Sequence, residues 1–370
     1  MLVPVREIAA ARFELQSDAA AVRRAHADHY ARLAVEMEPL LRGTTQVSAL
    51  ERLEAERDNV RAAYRHLLAI GEVDAVADAV WRLLLYWWIR GYLPEAKTWT
   101  QEALDVGRPL STRTRAIALA FPSWVSLWQT DAEISTEDLE ESVTLFRETG
   151  DELSEGLALT VLSLAYMSVS PPDLGLAEAR QLAALELEPI RRDPTFDALF
   201  RGALGRVRLQ LGDPSGGMDL LEASRAEAER AGDIFAESVA QTQIGWARLA
   251  LDDPDPRPFV RNLELALRLK NDVGVAFALE GLGATATRTG DPERAGTLLG
   301  AAENLRTRTG LWDQRAYITY QPFVEAALAG EGSAEFEAAR ARGRRMPRRA
   351  VLELALGPEL ARAALTESTG

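Results

Sequence analysis

Turn-forming residues recur about every forty residues through most of this chain, and this repeat restricts its fold more than any other feature. One series of turns begins at positions 91, 130, 172, 212, 252 and 290, so consecutive turns are 39, 42, 40, 40 and 38 residues apart. A second series follows the last five turns by 19 or 20 residues, at Gly150-Asp151, Arg192-Asp193, Gly232-Asp233, Asn271-Asp272 and Thr309-Gly310. Such a period is typical of arrays in which each repeat is one pair of packed elements.

The residues in these turns are those that end one helix and begin the next. In Gly212-Asp213-Pro214 and Gly290-Asp291-Pro292, the glycine suits a left-handed helix end, the aspartate suits an N-cap, and the proline suits the first helical turn. The segments between turns, such as 220–226, have helical periodicity and lack the alternation typical of strands. The sequence therefore predicts an all-α solenoid with six helix pairs over 72–310.

Further helices are predicted on both sides of these pairs. Residues 1–71 are expected to form an N-terminal helical segment, with amphipathic helices at 19–37 and 46–69. Residues 311–370 are expected to form a C-terminal helical cap that ends in a frayed tail from Gly357, because the last unit of an array needs a cover for its apolar face. The cap helices are predicted at 313–328, 334–341 and 350–356.

Small residues at repeated positions predict close contacts between helices. Gly205, Gly245 and Gly283 each follow an apolar residue in the first helix of a pair. Ala96 and Ala177 lie in second helices. Because glycine has no Cβ, another chain segment can approach its backbone closely. We interpret these positions as packing positions.

Composition excludes several classes of protein. The absence of cysteine excludes disulfides, thiolate metal sites and cysteine nucleophiles. A net charge of −14 argues against nucleic-acid binding, because phosphate contacts require positive potential. The longest apolar stretch, Leu83–Ile89, is far shorter than the roughly 20 residues of a membrane helix, and residues 1–8 lack the apolar core of a secretory signal. We therefore expect a cytoplasmic protein that binds neither nucleic acid nor membranes.

No sequence pattern indicates catalysis, a cofactor or a metal. The chain contains neither the G-x-x-x-x-G-K-[ST] phosphate-binding loop nor the G-x-S-x-G nucleophile motif. His26 and His29 share one helix face, but two ligands are too few for a metal site, and His66 belongs to another helix. We therefore predict a protein that is not an enzyme and has no cofactor.

Several segments resemble one family of bacterial regulators. They are Met1–Leu2 with Val5–Ala9, Arg23–His26 with Tyr30, Leu53–Ala63, Trp87–Gly91, and Gly290–Ala295 with Leu299–Glu303. These segments are similar to the C-terminal tetratricopeptide region of actinobacterial signal-transduction ATPases, a group that includes antibiotic regulatory proteins and relatives of the maltose-regulon activator. The resemblance implies a tetratricopeptide-like α-solenoid that forms a right-handed superhelix.

In function, the resemblance implies a sensor or scaffold arm of a transcriptional regulator. Its expected partners are a small-molecule inducer, another protein or the adjoining nucleotide-binding module of the same regulator. Nucleotide hydrolysis is not implied, because the residues before Lys97 and Lys270 do not form a phosphate-binding loop. We expect the chain to be either the C-terminal part of a longer regulator or a stand-alone relative of one.

A stripe of aromatic and arginine residues is the first candidate binding site. In four first helices, a large residue follows an equivalent small residue, and tetratricopeptide geometry would place these large residues in the concave groove. With two neighbouring tryptophans, the candidates are Trp88, Trp124, Trp128, Tyr166, Arg206 and Trp246. Aromatic and arginine side chains concentrate binding energy. The alternative interpretation is that they fill the core between the superhelix and the N-terminal helices.

A cluster of arginines near the C-terminus is the second candidate site. It consists of Arg340, Arg342, Arg344, Arg345, Arg348 and Arg349. These residues could contact nucleic acid, or acidic residues of this chain or of an adjoining module. We favour the protein contact, because the rest of the chain is acidic and no aromatic residues are interleaved for base stacking.

These observations favour a non-catalytic regulatory binding module. Its concave face would recognise a partner protein, its own ATPase core or a small inducer. A structural or oligomerisation arm is the alternative, and an enzyme is the least favoured class.

Overall fold

The computed structural model of the protein describes residues 12, 16–105, 107, 109–127, 134–309, 321–330 and 332–367. Within these ranges the chain forms twenty α-helices and no β-strand. The predicted all-α fold class is therefore confirmed. None of the helices in the described ranges has the length and apolarity that a bilayer crossing requires.

The N-terminal helices have the predicted bounds. Helix α1 comprises Ala19–Met37 and α2 comprises Gln46–Ala69, and the two pack against each other. Two short 3₁₀ turns, Pro39–Leu41 and Gly43–Thr45, connect them. The connection is tight because Gly43 adopts a positive φ of 63°.

The helices that follow pack mainly against their neighbours in the chain. They are α3 (Val73–Arg82), α4 (Leu84–Ile89), α5 (Leu93–Asp105), α6 (Thr112–Ser126), α7 (Thr136–Thr149), α8 (Glu152–Ser168), α9 (Leu174–Glu186), α10 (Glu188–Arg192), α11 (Pro194–Gln210), α12 (Pro214–Ala231), α13 (Ile234–Ala250), α14 (Arg257–Arg268), α15 (Asp272–Arg288) and α16 (Pro292–Thr309). Each helix pair has a first member that packs against the helix that follows it. In chain order, these first members are α3 with α4, then α6, α8, α11, α13 and α15. First members of consecutive pairs also contact each other, as in a solenoid.

Four helices follow at the C-terminal end. They are α17 (Gln321–Ala329), α18 (Ser333–Gly343), α19 (Arg348–Leu356) and α20 (Pro358–Glu367). The predicted start of the first cap helix, at 313, lies outside the described residues. The predicted frayed tail is wrong for 358–367, because Gly357 ends α19 at a φ of 82° and Pro358 then begins a new helix, in which Ala361 is buried.

The turn residues act as the sequence predicted in most repeats. Gly212 has a φ of 82°, and the Asp213 carboxylate then accepts a hydrogen bond from the Gly216 backbone N–H at 2.9 Å. One turn differs by a residue: Lys270 takes the left-handed conformation at φ 51°, and Asn271 is the N-cap. Asparagine caps a helix N-terminus as well as aspartate does, so α15 begins at Asp272, one residue earlier than a cap at Asp272 would place it, and its N-terminus is still capped.

Gly245 and Gly283 are packing positions, as predicted. A Cβ atom on Gly245 would lie 2.6 Å from Cζ of Phe259 in α14. A Cβ atom on Gly283 would lie 2.7 Å from Cγ of Leu299 in α16. Because both distances are shorter than van der Waals contact, only glycine fits at these helix crossings without displacement of a neighbour.

We expect Gly245→Leu and Gly283→Leu each to lower the free energy of unfolding by about 1–3 kcal/mol through overpacking. Urea unfolding followed by circular dichroism measures the change. Gly175→Leu is the control, because Gly175 is exposed in α9 and a Cβ there meets only ordinary contact distances. A control as unstable as the two crossing variants would contradict the packing interpretation.

The N-terminal segment contacts the middle of the chain, which the sequence did not predict. The Gly43 backbone N–H donates to Oδ2 of Asp233 at 2.8 Å, and Arg42 forms an ion pair with Asp193 at 2.8 Å. The Gln46 side chain donates to Oδ1 of Asp233 at 3.1 Å and accepts from the Phe235 backbone N–H at 2.9 Å. We refer to Arg42, Gly43 and Gln46 as the N-terminal clasp.

A second contact lies beside the clasp and joins the same two parts of the chain. Arg90 donates to the Leu269 carbonyl at 2.9 Å, and Glu51 accepts from both Arg90 and Lys270, at 2.9 and 3.2 Å. The first helices of the array are thereby tied to α13–α15. These contacts join distant parts of the chain, such as Arg90 and Leu269 at 179 positions apart and Gly43 and Asp233 at 190, and they border the space between the first helices.

Candidate ligand-binding site

A partly open cavity of about 230 Å³ lies between the first members of five consecutive helix pairs. Its lining comes from α3, α4, α6, α8, α11 and α13, together with Glu38 and Arg42 from the N-terminal segment. The second members of these pairs contribute no lining residue within the described ranges. The cavity therefore lies along the inner face of the helix pairs.

Most of the cavity wall is apolar. Its larger members include Trp81, Leu84, Trp88, Leu157, Phe196 and Phe200. Hydrogen bonding fixes one of these rings, because the Trp81 indole N–H donates to the Ser154 hydroxyl at 2.9 Å. Packing fixes another: the Trp88 ring contacts Phe235 and Trp124 edge to face, at centroid distances of 4.8 and 5.2 Å. The walls are therefore ordered before any ligand binds.

Trp124 and Arg206 are the most deeply buried polar members of the wall on α6 and α11. Their exposed fractions are 5% and 9%. The indole nitrogen Nε1 of Trp124 has no hydrogen-bond partner within the described residues. A buried donor left in this state costs about 1–3 kcal/mol. The cavity lining thus includes an unused hydrogen-bond donor, Nε1 of Trp124, and the buried guanidinium of Arg206.

Gln243 also lines the cavity, but its unused oxygen points elsewhere. Oε1 of Gln243 has no partner within the described residues, yet it lies only 2.6 Å from where a Cβ of Gly202 would be. That oxygen therefore packs between helices α11 and α13. Gly202 leaves the space that the amide occupies.

The remaining charged residues of the lining are less buried and form a network of ion pairs. Arg82 pairs with Glu38 and, at 2.7 Å, with Asp78. Arg113 pairs with the same Asp78 and, at 2.8 Å, with Asp151. Burial opposes the charge on Arg82, but its hydrogen bonds to Asp78 and Glu38 outweigh this effect and raise the pKa of Arg82 above its ordinary value. Both carboxylates that line the cavity, Glu38 and Asp151, are thus engaged by arginine.

The structure brings together three residues of the predicted stripe. Trp88, Trp124 and Arg206 all line the cavity, although they come from three different helices. Trp128 lies outside the described residues. Trp124 and Arg206 each follow one of the equivalent small residues, Ser123 and Gly205, and both line this cavity.

Two other residues of the stripe lie elsewhere. Trp246 is only 4% exposed and packs against Phe259 and Phe323, at centroid distances of 5.4 and 5.9 Å. It belongs to the core, in keeping with the alternative interpretation, because α17 covers this end of the array. Tyr166 is half-buried, and its hydroxyl donates to Glu140 at 3.0 Å, away from the cavity lining.

Sequence reasoning missed the charged part of the cavity. Arg82, Arg113 and Arg42 come from separate segments, and no local pattern distinguishes them from other surface arginines. Gln243 carried no distinguishing signal either, because Glu237, Gln241 and Thr242 are other buried polar residues of α13. Its position beside Gly202 depends on how α11 and α13 cross, which the local sequence does not specify.

The C-terminal arginine cluster contacts acidic residues of the same chain. Arg344 lies 2.7 Å from Glu303, which Arg340 also contacts, and Arg342 lies 2.7 Å from Glu293. The other pairs are Arg348 with Asp272 at 2.5 Å and Arg349 with Glu353 at 2.8 Å. Arg345 is exposed. Most of the positive charge in this cluster is therefore matched locally, which favours the protein-contact interpretation over nucleic-acid binding.

The histidines of α1 and α2 do not assemble a metal site. Across the described ranges, no three His, Asp or Glu side chains are grouped so that they could hold a metal ion. The His26 ring packs on Tyr30 at a centroid distance of 4.7 Å. Burial lowers the pKa of His26, and the nearby His29 and His66 lower it further.

Comparison with known proteins relates part of the chain to transcriptional regulators. No known protein-family model matches the chain. Proteins of Mycobacterium bovis and of two Mycobacterium tuberculosis strains, each named "Putative HTH-type transcriptional regulator", are similar to it. Each is 28% identical over 152 residues, which is 39% of this chain and 17% of the relative. The match spans about one sixth of each relative and supports a regulatory role in general terms.

Proposed function

We propose that this chain is a non-catalytic sensor module of a transcriptional regulator, and that a small effector molecule binds in the cavity between its first helices. The observation that carries this proposal is the cavity itself, which is formed by the first members of five helix pairs. Similarity to mycobacterial regulators supports the regulatory part of the proposal. Pockets of this kind, with mostly apolar walls and a few polar groups, are typical of small-molecule sites.

The state of the cavity wall supports ligand binding over a purely structural role. A space that only joined helices would be expected to fill with side chains, because protein interiors are close-packed. Here aromatic walls surround about 230 Å³, and the Trp124 N–H is left without a partner within the described residues. A ligand that fills the space and accepts this hydrogen bond would stabilise the folded chain.

The residues that line the cavity support a non-catalytic role. The three histidines, His26, His29 and His66, all lie on α1 and α2 and none lines the cavity. The hydroxyls of Ser154 and Thr160 therefore have no histidine base beside them. Ser154 is already used to hold Trp81 in place.

A cavity-filling substitution tests the proposed site. Ala203 lines the cavity and is 4% exposed, so Ala203→Trp should occupy the space that a ligand needs. We expect some members of a library of small aromatic acids, amides and amines to raise the melting temperature of the unmodified chain by a few °C, and to have no such effect on Ala203→Trp. Differential scanning fluorimetry measures the shift.

Ala250→Trp is the matched control, because Ala250 is exposed at the end of α13. This control should keep every shift seen with the unmodified chain. If no compound distinguishes Ala203→Trp from the unmodified chain, and the protein self-associates at micromolar concentration, the structural-arm alternative is correct and the sensor proposal fails.

A further inference from the structure

We propose, on the basis of the proposed effector site, that the cavity selects an uncharged ligand with a flat apolar body, such as an aromatic ketone. Organic anions, organic cations and sugars of similar size would be excluded. Three features of the lining lead to this choice: the engagement of its charged side chains, the engagement of its hydroxyl and amide groups, and the shape of its walls.

The acids of the lining are already paired, which argues against a cationic ligand. Glu38 forms an ion pair with Arg82, and Asp151 forms one with Arg113 at 2.8 Å. Asp78 contacts both of these arginines and thereby joins the two pairs into one chain of ion pairs. An organic cation that approached either lining acid would therefore have to displace an arginine from it.

The arginines of the lining are engaged as well, which argues against an anionic ligand. Two of the four lie in that chain of ion pairs. Arg42 pairs with Asp193 at 2.8 Å, and its guanidinium lies over the Phe196 ring, 4.8 Å from the centroid. Arg206, which is 9% exposed, also has an interaction within the chain. A charged ligand of either sign would therefore break an existing contact or stay unpaired, and a buried unpaired charge is costly.

The hydroxyl and amide groups of the lining argue against a sugar or another polyol. The Ser154 hydroxyl holds the Trp81 indole, and the Thr160 hydroxyl accepts a hydrogen bond from the Gln181 amide at 3.3 Å. Oε1 of Gln243 packs between α11 and α13. Each hydroxyl of a polyol must find a partner once it is buried. A polyol would therefore lose more hydrogen bonds to water than it could regain.

The shape of the walls favours a flat apolar body. Trp88 and Trp124 meet edge to face, and Trp81 is held by both its hydrogen bond and a stacked contact with Phe146 at 5.5 Å. Fixed aromatic rings of this kind bind planar groups through stacking and edge contacts. The volume of about 230 Å³ suits a body of one or two fused rings.

Three probes with the same ring system and different charges test this proposal: 2-acetylnaphthalene, naphthalene-2-carboxylate and 2-naphthylmethylammonium. Glucose is the polyol probe. Binding is measured on the full chain by calorimetry and by quenching of tryptophan fluorescence. We expect the ketone to bind at least about tenfold more tightly than either charged probe, because each of those buries a charge without a free partner. Glucose should bind least. A charged probe or glucose that binds as tightly as the ketone, or no binding of the ketone, overturns the proposal.

A substitution at Glu38 tests whether the ion pairs exclude the anion. Glu38→Gln keeps the size of the side chain but removes the lining carboxylate that pairs with Arg82. An anion could then approach Arg82 without displacing Glu38, so the ratio of ketone affinity to carboxylate affinity should fall at least about threefold.

Glu353→Gln is the matched control, because Glu353 pairs with Arg349 outside the cavity lining, and it should keep the full ratio. If Glu38→Gln does not fold, Asp151→Asn provides the same test, since it removes the lining carboxylate that pairs with Arg113. A ratio that is unchanged in the folded variant overturns the assignment of the selectivity to these ion pairs.

Failure of this proposal and failure of the sensor proposal have different signatures. If a charged probe binds as well as the ketone, and Ala203→Trp abolishes both, the cavity is a ligand site of another selectivity. If neither these probes nor the library distinguishes Ala203→Trp from the unmodified chain, the effector site itself is refuted.

Discussion

Asp233→Ala is expected to lower the free energy of unfolding by about 3–5 kcal/mol, because several buried hydrogen bonds to one carboxylate are lost together. Asp233 is 1% exposed. Its carboxylate accepts from the backbone N–H groups of Gly43 and Ala236, each at 2.8 Å. It also accepts from the Gln46 amide at 3.1 Å and the Thr195 hydroxyl at 2.6 Å. The substitution thus removes an N-cap and the acceptor of the N-terminal clasp.

Asp213→Ala is the matched control for this prediction. Asp213 is the N-cap of the preceding helix in the array and accepts a hydrogen bond from Gly216 in the same manner, but it is only partly buried and its ion pair is with Arg208, not with a residue of the clasp. We expect it to lose only the cap, about 1 kcal/mol. Urea unfolding measures both values. Equal losses for the two variants would show that the clasp contributes nothing to stability.

Limited proteolysis gives an independent measure of the same effect. In Asp233→Ala, the segment 38–46 should be cleaved faster than in the unmodified chain, because its backbone loses the partner that holds it against α13. Cleavage in Asp213→Ala should be unchanged there. Since Glu38 and Arg42 line the cavity, release of this segment would also open the ligand site.

We expect Glu280→Ala to have an effect of similar size, about 3–5 kcal/mol, because it removes the carboxylate from a buried ion pair. Glu280 in α15 has a side chain only 3% exposed, and Arg306 in α16 is 11% exposed. Two guanidinium nitrogens of Arg306 contact the two carboxylate oxygens of Glu280, one pair at 2.7 Å. The same guanidinium lies over the Phe277 ring, 5.0 Å from its centroid.

A double-mutant cycle with Arg306→Met separates the energetic contribution of the Glu280–Arg306 ion pair from the other effects of Glu280→Ala on stability. If the loss in Glu280→Ala arises from a buried charge without its carboxylate, the double variant should be more stable than Glu280→Ala alone. Glu353→Ala is the control, because its pair with Arg349 is exposed and spans one helical turn; we expect a loss below about 0.5 kcal/mol. A loss in Glu280→Ala no larger than this control would contradict the prediction.

Local sequence patterns correctly predicted those helices and turns whose conformation depends on residues close together in the chain. The bounds of Ala19–Met37 and Gln46–Ala69 agree with the sequence expectation, and the turn at Gly212-Asp213-Pro214 has the predicted left-handed glycine and capping aspartate. Capping and helix termination involve residues within a few positions of each other. The prediction failed at 358–367, where burial of Ala361 stabilises a helix that composition alone did not indicate.

The stripe shows how far a periodic pattern can locate a site. The repeat register alone identified Trp124 and Arg206 as facing inward, and both line the cavity. The same register assigned Trp246 to that face, but Phe323 from outside the repeats packs on it. A repeat pattern specifies which side of a helix faces its neighbours, whereas the segment that covers that side is a property of the whole chain.

By itself, the sequence determined the helical class, the alternation of helices and turns, and the glycines at helix crossings, because these depend on propensity, capping and side-chain size over short distances. Only the tertiary structure decided that Arg42, Gly43 and Gln46 reach Asp193 and Asp233, and that the first helices thereby enclose a cavity. Contacts between residues so far apart in the chain leave no periodic signal in the sequence. They depend on the summed curvature of all the helix pairs between them, and each crossing contributes to it through its own packing.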